Sequence, residues 1–313
     1  MTGRAIAYLS GGVGGAKLAL GLSRMLPAED LCIIANTGDD FDHLGLRICP
    51  DIDTLVYTLS GKANLEQGWG RAGETDSFMT AMRELGGPDW FFLGDHDLAM
   101  HVERTRRLNA GVRLTDVTDH LATALGVGPR ILPMTDEAAP TIIETTEGAL
   151  AFQDYFVRLR AAPTVTGFIL HGGAPVAPTA EVMAALDAPE MVIIGPSNPF
   201  ISIDPILDLP GIRDRLRVLK QAGTPVVAVS PIVGGDAIKG PTAKMFRELG
   251  ETPSVGAIAA RYRDVVSHLV IDDVDSGDAA RIAGSGIRVA VTATVMRSIE
   301  DRIALARTIL GGA

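Results

Sequence analysis

Short aliphatic runs recur along the chain, at residues 5–9, 31–35, 165–170, 191–194, 225–229, 268–271 and 288–292, with Gly, Pro, Asn, Asp or Ser close behind most of them. Runs this short, apolar throughout rather than alternating, predict strands buried on both faces. Between several of them the apolar residues fall three or four apart. Leu18, Leu22 and Met25/Leu26 follow the first run. Ile212, Leu216 and Leu219 precede the fifth and stop at Gly223, and Ile299, Ile303, Ala306 and Ile309/Leu310 make a stripe near the C-terminus. Strand–helix alternation of this kind predicts an α/β fold, a mostly parallel sheet covered by helices on both faces.

The stretch at about 55–125 breaks the rhythm. Helical signatures stand at residues 78–85, stopped by Gly86-Gly87, and at 117–125, stopped by Gly126, with few strand-like runs. This predicts a mainly helical insertion that covers the mouth of a ligand site. No flexible linker, low-complexity tract or repeat sets it apart, so residues 1–313 read as one domain with an embellishment.

Composition sharpens the class. Hydrophobic residues at 47% supply a sizeable core, and charged residues at 21% exclude a disordered chain. Aromatics are scarce at 5% while Gly (35) and Pro (18) are plentiful, which suits aliphatic strands joined by tight loops. A net charge of −10 argues against a nucleic-acid partner. It leaves room for a small phosphorylated ligand, because charges beyond a Debye length of roughly 8 Å are screened and the pocket's own donors decide. Cys32 and Cys49 have no paired spacing and read as buried free thiols. No apolar run reaches the length of a membrane helix and no signal-peptide core is present, so the expectation is a cytoplasmic protein with no membrane partner.

Five segments carry candidate chemistry. Ser10-Gly11-Gly12-Val13-Gly14-Gly15-Ala16-Lys17 joins strand one to helix one, where bare amides and the helix dipole favour a phosphate. Ala16 before Lys17 and Leu18 after it rule out a Walker loop, and Lys17 spoils a dinucleotide fingerprint. Asn36-Thr37-Gly38-Asp39-Asp40 follows strand two, where paired acids suit a metal or a ribose, or an Asx turn. Asp51 and Asp53, in Arg47-Ile48-Cys49-Pro50-Asp51-Ile52-Asp53-Thr54, suit magnesium or a helix cap. Trp90-Phe91-Phe92-Leu93-Gly94-Asp95-His96-Asp97, with His101 beyond, suits a stacked planar ring beside polar groups, with His96 or His101 as an acid or base. Gly195-Pro196-Ser197-Asn198-Pro199 presents a hydroxyl and an amide able to meet a base edge. Lys239 and Lys244, further on, are candidate phosphate partners.

Together these segments resemble the 2-phospholactate transferase family, which makes a precursor of coenzyme F-420. The resemblance also takes in Gly68-Trp69-Gly70, Ile131-Leu132-Pro133-Met134 and Phe152-Gln153-Asp154-Tyr155-Phe156, and so spans nearly the whole chain in order. It implies a Rossmann-like three-layer α/β/α fold with a helical insertion, a homodimer and dependence on Mg2+. It implies a donor in which guanosine diphosphate carries lactate, enolpyruvate or glycerate, and an acceptor, 7,8-didemethyl-8-hydroxy-5-deazariboflavin, whose ribityl hydroxyl displaces GMP. By the same pattern Asp53, Thr54 and Phe92 meet the deazaflavin, and Gly11, Gly12, Val13, Gly14, Gly15, Lys17, Ser197 and Asn198 hold the nucleotide. Asp39, Asp40, Asp51 and Asp53 are then the acids available to the metal, with Asp53 and Asp40 also available for catalysis. His96 departs from the pattern, which has Arg between the two acids. Two rivals remain: a nucleotide-sugar-binding regulator, expected to carry a Gly-Gly-Ser-Ser-type run where Phe41-Asp42-His43-Leu44-Gly45 stands, and a nicotinamide-dependent dehydrogenase.

Overall fold

The computed structural model describes residues 5–312. Seven strands form one parallel sheet: β1 (Ile6–Ser10), β2 (Leu31–Ala35), β3 (Arg130–Pro133), β4 (Met191–Ile194), β5 (Val226–Val229), β6 (His268–Ile271) and β7 (Arg288–Val291). Across the sheet they run β3-β2-β1-β4-β5-β6-β7. β1 therefore pairs with β2 on one side and β4 on the other, Ile6 lying beside both Leu31 and Met191. The chain winds outward from β1 in one direction, then returns to start again at β4. The crevice where the order reverses, outside the carboxyl ends of β1 and β4, is where open sheets of this kind place ligands.

Both faces of the sheet are dry. Along β1, Ile6 and Tyr8 pack with helix α1 (Gly12–Ser23), helix α2 (Pro50–Leu59) and the C-terminal helix at Ile299–Leu310, through Leu18, Leu22, Leu55, Leu305 and Ile309. Ala7 and Leu9 point the other way, against Phe200, Ile206, Leu216 and Phe246. This period-two division of one strand between two cores is why the runs are apolar throughout, and it makes the molecule three-layered.

Between β2 and β3 lie α2, then α3 (Ser77–Glu84), α4 (Asp95–Asn109) and α5 (Leu114–Ala124). Two elements differ from the sequence pattern. Residues 165–170 supply not a strand of the main sheet but Val165–Ile169, which pairs antiparallel with Ile142–Thr145, itself in a hairpin with Gly148–Ala151. The parallel sheet instead takes Arg130–Pro133, a four-residue edge strand that ends in proline and pairs only with β2. Among the described residues no helix is long and apolar enough to cross a membrane.

Candidate active site

The loops after β1 and β4 meet in a cavity of about 700 Å³ at the switch point. Gly11, Gly12, Val13, Gly14 and Lys17 line it from one side, and Ser197 and Asn198 from the other. Asp39, Asp51, Asp53, Thr54 and Phe92 line it as well. Of the residues expected to hold the substrates or the metal, Gly15 and Asp40 do not line it.

Glycine is needed in the first loop for close approach. A Cβ on Gly14 would collide with the Pro196 carbonyl oxygen, and one on Gly15 would strike the Ser10 and Ser197 hydroxyls. Gly12 holds a φ of +62°. Ser197 locks the two loops together: its hydroxyl donates to the Gly11 carbonyl (2.7 Å) and accepts the Gly11 N–H (3.2 Å). Asn198 is also engaged, its Oδ1 accepting the Phe200 N–H (3.0 Å), which leaves only its amino group, 3.4 Å from the Met245 sulfur. Both residues expected to read the nucleotide thus have structural work as well.

The N-terminus of α1 is partly capped from within. Asp51 Oδ1 accepts the Gly12 N–H at 2.5 Å, and its Oδ2 accepts from Asn36 Nδ2 at 2.9 Å. Asp51 therefore serves the helix it faces, although it sits in the first turn of α2. The Val13 and Gly14 amides, with no carbonyl one turn back to bond, remain at the cavity wall as anion donors. Lys17 is held there by its bond to the Met296 carbonyl (3.0 Å). Burial lowers its pKa, and the positive charges of Arg302 and Lys239 lower it further. Lys239 also lines the cavity, whereas Lys244 is taken by Glu248 at 2.6 Å.

The acids are crowded. Burial raises the pKa of Asp39 well above the carboxylate range, and the charge of Asp51 adds to the rise. Burial likewise takes Asp51 to about 6 and Asp40 to about 8. Asp40 lies against the Cys49 thiol and near Arg104 and Arg47, away from the cavity. Asp53 is not a helix cap. It stands inside the first turn of α2, 5% exposed, with both its oxygens on the Arg104 guanidinium. Burial raises its pKa, and the Arg104 charge acts against the rise.

Helix α4 brings in Asp97 and His101, both singled out in the sequence, and with them Tyr57 of α2 and Arg104, of which local sequence held little sign. His101 Nε2 lies 3.2 Å from Asp97 Oδ2, and the Tyr57 hydroxyl donates to Asp97 Oδ1 at 2.5 Å. Among the described residues, the set of three whose donor atoms come within 4.8 Å of one another is Asp53, Asp97 and His101, not the four carboxylates expected from the sequence. His96 does not line the cavity and faces Glu74 at 3.7 Å. Beside the acids, Phe41, His43, Trp90 and Phe91 form an edge-to-face cluster, with the Phe41 and Phe91 centroids 4.9 Å apart. Phe92 is left 42% exposed at the cavity, as are Trp69 at 55% and Phe156 at 39%.

The family described as 2-phospho-L-lactate transferase CofD matches residues 6–287. The chain belongs to this family. It is 38% identical over 311 residues to a phosphoenolpyruvate transferase of Streptomyces griseus subsp. griseus, covering 97% of each chain. It is 36% identical over 302 residues to a 2-phospho-L-lactate transferase of Methanosarcina barkeri, covering 96% of each. A UPF0052-family protein of Bacillus halodurans shares the fold, with a TM-score of 0.63, 15% identity and 99% of each chain covered. The residues matched to the CofD family run from the start of β1 to the residue before β7.

Proposed function

We propose that this CofD-family protein transfers a phospho-acid group from a guanosine diphosphate-linked donor to the ribityl hydroxyl of 7,8-didemethyl-8-hydroxy-5-deazariboflavin, with GMP leaving, in coenzyme F-420 biosynthesis. The observation that carries this reading is one cavity that combines the first turn of a helix, buried acids and exposed aromatic faces. A diphosphate suits the Val13 and Gly14 amides with Lys17 and Lys239, and a flat tricyclic ring suits Phe92 and Trp69.

The acids fit a hard divalent cation. Asp39 and Asp51 are buried at the cavity with Asn36 Nδ2 between them, and their burial opposes ionisation, a conflict that a cation would relieve, whereas both oxygens of Asp53 are already on Arg104. Asp39 and Asp51, with oxygens of the substrate's phosphates, would hold Mg2+, which when bound neutralises charge on the diphosphate. The protein's own part is positioning: amides and lysines hold the phosphates, and Asp53 orients the attacking hydroxyl and accepts its proton. Asp40, behind the wall, has no part in this scheme. A homodimer, implied by the family resemblance, belongs to the same reading and is checked by light scattering.

Mass spectrometry of the product tests the proposal. The protein is incubated with the deazaflavin, Mg2+ and, in turn, the guanylated lactate, enolpyruvate or glycerate donor. A deazaflavin bearing the phospho-acid is expected from at least one, and no adduct from any of the three would sink the reading. Fluorescence titration with NAD and with the deazaflavin separates it from a dehydrogenase.

A further inference from the structure

Asp97, His101 and Arg104 lie at i, i+4 and i+7 on α4, one strip of the helix surface, facing Asp53 on α2. Arg104 is fully buried, and its guanidinium forks onto both oxygens of Asp53. Nη1 also reaches the Arg47 carbonyl at 3.2 Å and His101 Nδ1 at 3.1 Å. Asp53, Asp97 and His101 have the spacing of a metal site, yet this guanidinium already sits against two of the three. Nη1 has two N–H groups for these three acceptors, so one is shared, and because a guanidinium only donates, His101 Nδ1 is the acceptor in its contact. The ring proton of neutral His101 is then on Nε2, towards Asp97 Oδ2, whose partner oxygen takes the Tyr57 hydroxyl. Tyr57, Asp53, Asp97 and His101 line the cavity, and Arg104 does not.

We propose that Arg104 is the resident cation of this cluster and a positioning residue for the transfer, fixing the plane of the Asp53 carboxylate and the Nε2–H tautomer of His101. The proposal rests on the transferase reading for its kinetic consequence, but not for its geometry. An aspartate's terminal torsion is soft, and two parallel N–H bonds from a rigid fork pin it where a single charge would not. An acid that must meet one hydroxyl in one direction depends on that pinning.

Arg104→Lys keeps the charge and loses the fork. The expected result is a fall in kcat of about 10–100-fold with KM for donor and acceptor unchanged. An Arg104→Lys enzyme with wild-type kcat, or one whose loss falls on KM instead of kcat, would overturn the proposal. Independently of any variant, long-range 1H–15N spectra of 15N-histidine-labelled wild-type protein should show His101 protonated on Nε2 and bare on Nδ1. A His101 carrying its single proton on Nδ1 refutes the assignment even if Arg104→Lys does not fold. Wild-type protein that makes no adduct would count against the transferase reading alone, and the histidine spectrum would still decide this one.

Discussion

Ser197 offers the sharpest separation between a residue that touches ligand and one that builds the site. Its hydroxyl makes two hydrogen bonds to the peptide group of Gly11, donating at 2.7 Å and accepting at 3.2 Å, and it is 4% exposed. Ser197→Ala removes both and leaves the Gly11 N–H without that partner in a place closed to water. Each neutral bond is worth about 1 kcal/mol net, so the pair gives about 2 kcal/mol. At this chain length, with an unfolding entropy of about 2.1 cal/mol/K per residue, that corresponds to a fall in Tm of about 3 °C. The bonds join loops that are far apart in sequence and adjacent only at the switch point, so loosening them also blurs the spacing of the Val13 and Gly14 amides. Thermal melting followed by circular dichroism reads the first effect, and donor KM the second. Both should move, the melt clearly and KM modestly. An unchanged Tm with a large rise in donor KM would refute the reasoning, because it would make Ser197 a direct nucleotide contact whose bonds to Gly11 carry no stability.

Asp53→Ala should abolish turnover and also cost about 3–5 kcal/mol of stability, since it strands the buried Arg104 guanidinium; an urea unfolding midpoint equal to wild type would contradict the ion pair. Burial holds Asp51 at about 6 and Asp40 at about 8, above the ordinary carboxylate value, so the folded chain keeps protons that the unfolded chain has released. Their contribution to stability is therefore present in acid and lost as pH rises through those values. Mg2+ should accordingly raise Tm more at about pH 8 than at about pH 5, and the opposite ranking in a melt series would argue against a cation at Asp51. Phe92→Ala should raise KM for the deazaflavin by about tenfold with donor KM unchanged, a loss of roughly 1.4 kcal/mol of ring contact; steady-state kinetics with each substrate varied will show whether it does.

Much of the site was readable before any fold was in hand, for a local reason. A glycine loop followed by an amphipathic run, and acids just past an apolar run, are signatures written within a few residues, and the parallel sheet then carries such loop ends to one rim. Gly11, Gly12, Val13, Gly14, Lys17, Asp39, Asp51, Asp53 and Ser197 all came to one cavity on that basis. The limits of local reading show at α4. The helix spans fifteen residues, yet its buried face is Met100, His101 and Arg104. A hydrophobic period cannot reveal a helix whose inward strip is ionic, because those residues are buried by pairing and not by dislike of water.

What the sequence by itself determined was the layer order of the molecule and the identity of its loop chemistry, since both follow from residue type and spacing along the chain. Only the tertiary structure decided partnership. Asp51 caps the neighbouring helix instead of its own, Ser197 grips Gly11, Asp40 turns behind the wall, and Arg104 occupies the centre of an apparent metal set. Each outcome depends on which groups the sheet topology brings within hydrogen-bond distance, and directional contacts between residues dozens to hundreds of positions apart leave no trace in the residues next to them.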